Sequence, residues 1–270
     1  MQRDGVIQHE GGDPSLPVLV RSVRKSILSL LFGIEIERER VQLTNSLGEL
    51  GINDHETLSP SELSATVEDL LMSRSGIAHV AAAETDAMKA TRPARDAHKP
   101  GERFWYNNWD FNALGTIYES VSGRTVFEGF RDELAGPLGL QDVTTDSDQI
   151  WQEDVSVHAA YHLAISARDL ARIGDMIIGQ GRGLVSPDWI RRSTSPLTPV
   201  ADYGLGYGYL WWVGDLDGHH IVVALGGGTF LAIAPSLGLS MAHTQYDRTT
   251  SWVNGGRATV QEAISNFGRA

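Results

Sequence analysis

The chain has 270 residues, a formal net charge of −12 and no cysteine. That length can bury a core without staples, as one large domain or two joined lobes, and 41% hydrophobic against 21% charged residues excludes wholesale disorder. The acidic balance, with no basic stripe, argues against a nucleic-acid partner, and the missing cysteine excludes disulfides, thiolate nucleophiles and thiolate metal sites. No run approaches the roughly 20 apolar residues that span a bilayer. The first 20 residues hold charges and Gly11-Gly12 with no long apolar core, so no secretory signal is read there. A cytoplasmic address without a membrane partner is the default expectation.

Residues 3–21 read as short extended pieces around a Gly11-Gly12-Asp13-Pro14 turn. Residues 22 to about 36 then read as one helix, with Val23, Ile27, Leu30, Leu31 and Ile34 at helical spacing. It is apolar on nearly every side, the pattern of a helix buried within a core. "SPSELSATVEDLLMSRSG" (59–76) carries helix start signals and a glycine stop, and residues 85–103 are polar with two prolines, a surface loop. "NNWDFNALGTIYESVSG" (107–123), "VFEGFRDELAGPLGL" (126–140) and "SARDLARIGDMIIGQG" (166–181) are further helices, the last with Ser166 as N-cap. After Pro196 the pattern turns to β. "GYGYLWWVGD", "HHIVVALGGGTFLAIAP" and "LGLSMAHTQY" are three branched and aromatic runs joined by spacers too short for crossover helices, hence antiparallel neighbours. "TVQEAISNFG" closes with a short helix. The expected class is α+β: residues 1–21 with 166–270 as a sheet-bearing lobe, 22–165 as a mostly helical lobe, and the site between them.

Three places carry chemistry. Ser22 and Lys25 stand three apart at the head of the apolar helix, so they share a face. A serine hydroxyl needs a base beside it, and a lysine becomes one when burial and nearby positive dipoles lower its pKa. The same helix end offers a backbone N–H to an oxyanion. The plain alternative is a serine cap followed by surface charge. Against it, the chain has only three lysines, this is its only Ser-x-x-Lys, and arginine could not substitute as a base. Tyr106-Asn107-Asn108, just before a helix, is the second place: a tyrosine can relay a proton, and an asparagine can hold a substrate carbonyl or the lysine. The third is Gly226-Gly227-Gly228. Three glycines inside a strand weaken it, which calls for a bend or for close approach of a ligand to an edge strand.

In order and context these pieces resemble the serine β-lactamase and penicillin-binding-protein superfamily. The similarity is to the class C β-lactamase-like branch, with its type-VIII carboxylesterases and 6-aminohexanoate-dimer hydrolases. "LLMSRSGI", "PGERFWYNNWDFNALGTIYESVSG", "PLGLQDVT", "AISARDLARIGDMII" and "YGYLWW" extend the likeness over residues 18 to 240. The resemblance implies a β-lactamase-like fold, an antiparallel sheet flanked by helices and joined to an all-α lobe. It implies a serine hydrolase with Ser22 as nucleophile, Lys25 as base and Tyr106 as proton relay to the leaving group. Asn108 matches the second polar residue of the Tyr-x-Asn element, and Gly227 or Gly228 supplies the second oxyanion N–H. No cofactor and no metal are implied.

Two departures matter. Many β-lactamases begin the glycine strand with Lys or His, then Ser or Thr, to bind the drug's carboxylate; this chain has Leu225-Gly226-Gly227. An ester, or an amide lacking that carboxylate, is therefore the expected small-molecule substrate, with hydrolysis of the ester leading and acyl transfer or a non-catalytic binding module as alternatives. The stretch before Ser22 is also shorter than family members normally have, so the sheet is expected to be smaller or completed by a partner, as in a homo-oligomer. His158 and His162 show the i, i+4 spacing of some zinc sites but lack the Glu of a metalloprotease helix; the resemblance puts them at the cleft rim. Trp211 and Trp212 should face opposite sides of a strand.

Overall fold

The computed structural model describes residues 1–200, 204–245 and 251–268. A hairpin of β1 (Gln2–Arg3) and β2 (Val6–Ile7) leads through β3 (Val18–Leu19) into helix α1 (Val23–Glu37). Helices α2 (Pro60–Leu63), α3 (Val67–Leu71), α4 (Asp86–Thr91) and α5 (Asn108–Ser122) follow. Then come α6 (Val126–Gly129), a π-helical turn (Phe130–Ala135) and α7 (Gly136–Leu138). Strands β4 (Gln149–Trp151), β5 (Ala160–His162) and β6 (Ala164–Ile165) precede α8 (Ala167–Ile178) and α9 (Pro187–Ser193). The rest is β7 (Thr198–Val200), β8 (Leu205–Tyr207), β9 (Trp212–Leu216), β10 (His219–Gly226), β11 (Thr229–Ala234), β12 (Leu239–His243) and α10 (Gly256–Phe267).

Eight strands form one antiparallel sheet in the order β2-β1-β12-β11-β10-β9-β8-β7, so the molecule is α+β. The central strands are covered on both faces, which is why they read as nearly unbroken apolar runs. Val222, Ala224, Leu231 and Ile233 join the core beneath α1, α5 and α8. Their neighbours Ile221, Val223, Ala232 and Ala234 face the other way, under Val260, Ala263 and Ile264 of α10. Trp211 and Trp212 divide in the expected manner, one in each cluster. No described helix is long and apolar enough to cross a membrane.

Helix α1 runs through the middle of the first cluster, and every residue from Val23 to Glu35 is buried. It packs against α5, α9, β10 and β11. Gly33 makes the α9 contact possible: a Cβ there would meet the Trp189 ring at 2.6 Å from Cγ, while Trp189 Nε1 donates to the Ser29 carbonyl at 2.9 Å.

Several expected boundaries shift for identifiable reasons. Residues 59–76 split into α2 and α3 because two capping boxes operate there, Ser59 with Glu62 and Thr66 with Asp69, and the second restarts the helix. The 85–103 loop contains the short α4, capped by Thr85. Residues 126–140 widen into a π turn before Pro137, which has no N–H to continue the α ladder. The second β run is a hairpin: Gly226 pairs with Thr229, and Gly227 and Gly228 form the two-residue turn with φ of +50° and +102°. The glycines end strand β10 where an interrupted strand was expected, and that strand is central, between β11 and β9, where an edge was expected. The third run ends as β12 at His243; Tyr246 lies outside the described residues.

Gly33→Ala should destabilise the protein by about 1–3 kcal/mol through overpacking against Trp189. Chemical denaturation checks this, and an unchanged midpoint would show that α9 gives way freely.

Candidate active site

Ser22 occupies the N-cap position of α1, but its side chain makes no capping hydrogen bond. Its hydroxyl is therefore not spent on the helix. The chain reaches it through a sharp strand–turn–helix: Val20 N–H donates to the Leu163 carbonyl, Val23 N–H to the Val20 carbonyl, and Arg21 takes a left-handed φ of +54°. A non-glycine residue in that region is strained, and it holds Ser22 at the tip of the turn.

Lys25, one turn on, is 2% exposed. Its Nζ donates to Tyr106 Oη at 2.8 Å and to Asn108 Oδ1 at 3.0 Å. The same nitrogen lies 4.0 Å from the Phe111 ring centre and 4.2 Å from that of Tyr106. None of these partners is a carboxylate. Burial, then the positive charge of Arg24, drives the Lys25 amine well below the usual lysine pKa. Asn108 is fixed in turn, its Nδ2 donating to the Ala83 carbonyl at 2.6 Å. Its side chain is thus committed to Lys25 and to backbone, the second of the two uses expected for it.

The loop carrying Tyr106 is held by the start of α5. Asn107 caps that helix, Oδ1 accepting from Asp110 N–H at 2.9 Å, and Asp110 Oδ1 accepts from Ser75 Oγ at 2.5 Å. Asp110 is wholly buried, and desolvation pushes its carboxyl up to about 8.

The end of β10 comes against the serine turn. A Cβ on Gly226 would lie 2.8 Å from Ser22 N and 2.9 Å from Val23 N, and would strike the Val20 carbonyl. No side chain fits there, which is the physical reason for glycine at that position. Ser22, Tyr106, Gly227 and Gly228 all line one cavity of about 610 Å³. Its walls are apolar: Met88, Phe104, Trp105, Trp212, Leu225 and Trp252. Among the described residues no carboxylate lines it, and the charged residue in that lining, Arg103, is hydrogen-bonded to His98.

The structure therefore brings Ser22, Lys25, Tyr106, Asn108, Gly227 and Gly228 together, with Asn108 behind the lysine. His158 and His162 do not share a helical face, since His162 ends strand β5. Both are buried, at 1% and 6% exposure, with His158 Nδ1 against Thr116 Oγ1, and neither lines the cavity. Burial, then Arg24, Arg21 and Lys25, pushes His162 down to about 3. Among the described residues no group of His, Asp and Glu is placed to hold a metal ion. Sequence reasoning missed the burial of Arg24 and the walls contributed by Met88 and Trp252. The all-apolar setting of the Ser-x-x-Lys helix was the available signal for the first; nothing local marked the others.

A family model described as Beta-lactamase matches residues 12–250, and the chain belongs to that family. No curated protein sequence matches the chain. The fold is β-lactamase-like and is shared with several solved structures. The octameric penicillin-binding-protein homologue from Pyrococcus abyssi has a TM-score of 0.69 and 22% identity over 86% of this chain; this chain spans only 62% of that one. A protein described as a 6-aminohexanoate-dimer hydrolase from Bacillus anthracis gives 0.71 and 16%, covering 98% of this chain and 79% of its own. A β-lactamase from Mycobacterium bovis gives 0.66 and 17%, covering 97% and 91%. Membership of this family supports serine hydrolase chemistry in general.

The raised Asp110 carboxyl has a stability consequence. A group whose folded pKa exceeds its unfolded value stabilises the fold below the unfolded pKa, about 4, and loses that contribution as pH rises through about 8. Asp110→Asn should therefore gain stability relative to the parent as pH rises from 4 to 9 in thermal melts. A constant difference across that range would contradict the assignment.

Proposed function

We propose that the protein is a serine hydrolase that cleaves a neutral ester with an apolar acyl group through an acyl-serine intermediate. The observation that carries this reading is the buried Lys25 amine, held between Tyr106 Oη and Asn108 Oδ1 one helical turn from Ser22. Ser22 Oγ attacks the ester carbonyl while its proton passes to the uncharged Lys25 Nζ. The carbonyl oxygen, now negative, is received by the N–H of Ser22 and that of Gly227 or Gly228. As the C–O bond breaks, the proton moves from Lys25 through Tyr106 Oη to the departing alkoxide, leaving the acyl group on Ser22. Water then cleaves the acyl-enzyme and restores the serine.

Leu225 stands where many relatives carry the cation that binds a drug carboxylate, and it lines the cavity beside Trp212 and Trp252. A neutral acyl chain gains by burying its apolar surface there, at about 25 cal/mol per Å². A carboxylate would lose hydration there with Arg103 as the one cation among the described lining residues to meet it. Amide hydrolysis or acyl transfer would use the same residues with a different acceptor. The division into a lobe of residues 1–21 with 166–270 and a helical lobe of 22–165, with the site between, belongs to the same proposal.

A fluorophosphonate probe should label the protein, and labelling should vanish in Ser22→Ala. Turnover of p-nitrophenyl esters should fall about 10³-fold or more in that variant and about 10²–10⁴-fold in Lys25→Met. Neutral butyrate and hexanoate esters should exceed nitrocefin in kcat/KM. Folded protein that takes up no probe sinks the enzymatic reading, and fast nitrocefin turnover sinks the argument from Leu225.

A further inference from the structure

Arg24 stands between Ser22 and Lys25 in the sequence, and the charge it carries is permanent. It is 1% exposed, yet among the described residues it forms no ion pair with a carboxylate. Its Nη2 donates to the neutral Asn112 Oδ1 at 3.1 Å, its guanidinium lies 4.1 Å from the Tyr161 ring centre, and Nη1 has no hydrogen-bond partner. Burying an ion without a counter-ion is costly, so the position calls for a reason.

The nearest titratable groups pair with neither cation. On α5, burial keeps Asp110 protonated up to about 8, and Glu119, farther along, is raised by burial and accepts from Val126 N–H. On β5, Tyr161 is pushed up to about 12 and His162 is held uncharged. Tyr207 on β8 is raised by burial, Tyr106 Oη accepts from Lys25, and Arg21 adds positive charge. Lys25 therefore sits in a low-dielectric region where the charge of Arg24 acts against its own.

We propose that Arg24 is a positioning residue for the base: buried beside Lys25 and bonded to Asn112 one turn of α5 from Asn108, its charge adds to burial in favouring the uncharged amine that takes the proton of Ser22. A cation placed beside a lysine is a general way of leaving that lysine unprotonated, and so able to accept a proton, near neutral pH. The idea rests on Lys25 being the base, so its test needs a readout that does not depend on turnover.

The chain supplies one, because its only lysines are Lys25, Lys89 and Lys99, and the last two are exposed. With ¹³C-labelled lysine, three NMR signals titrate, two of them as internal controls. In the parent, the Lys25 signal should change at much lower pH than the other two. Arg24→Gln removes the charge and can still donate to Asn112. Asn112→Asp leaves Arg24 in place and neutralises it. Both should move the Lys25 transition to higher pH, toward the controls. Both should also move the acidic limb of the ester-hydrolysis pH profile the same way, with about a tenfold or greater loss on that limb and activity on the alkaline plateau within about threefold of the parent. Two variants that reach the same change by different routes, one deleting and one pairing the charge, keep the test alive if either fails to fold. A Lys25 transition that stays put in a folded variant overturns the proposal. If esterase activity is absent altogether while the Lys25 signal shifts as described, the hydrolase reading falls and the coupling between Arg24 and Lys25 stands.

Discussion

Everything about the site follows from a buried amine whose hydrogen-bond acceptors are a tyrosine and an asparagine. Lys25 has Tyr106, Asn108 and Phe111 around its Nζ and Arg24 beside it, and it faces no carboxylate among the hydrogen bonds described. Such a lysine is poorly tolerated as a cation, so the uncharged form is favoured. The fold supports this by making α1 apolar on all sides and packing α5, α9, β10 and β11 around it. A helix with one solvated face would have let Lys25 reach water, and the amine would have stayed charged.

The second constraint is one of distance. The end of β10 must come close enough to the turn before α1 that Gly226 has no room for a Cβ. The Gly227–Gly228 turn then redirects the chain at once, with both residues at positive φ, and β11 returns across the sheet. The close approach and the sharp reversal explain all three glycines without any ligand. The cleft that opens beside them is walled by aromatic and aliphatic side chains, which matches the loss of the expected cation at Leu225.

The long elements were legible in the sequence where one pattern dominated. Helices α1, α5 and α8 fall within a residue or two of expectation at their starts, because apolar periodicity and a cap signal agree there. Pattern failed where two signals competed. Thr66 and Asp69 restart a helix that Ser59 and Glu62 had begun, and three glycines read as a weakened strand turn out to be a strand end plus a turn. The candidate site was visible as three separated motifs because its chemistry needs particular side chains. The charge state of Lys25 depends on burial by elements distant in sequence, α5 and β10 among those packed on α1, which no local window contains. Arg24 shows this most clearly: by composition it is a surface charge, and in the fold it is among the largest fully buried side chains.

The central claim is that Ser22 carries the acyl group during turnover. Acid-quenching the protein during hydrolysis of a neutral p-nitrophenyl ester, then weighing it intact and mapping its peptides, tests that directly. The account predicts an added mass equal to the acyl group, located on the peptide containing Ser22 and absent from Ser22→Ala. Turnover with the adduct on another residue, or an unmodified Ser22 peptide in an enzyme trapped by a slowly deacylating ester, would contradict it.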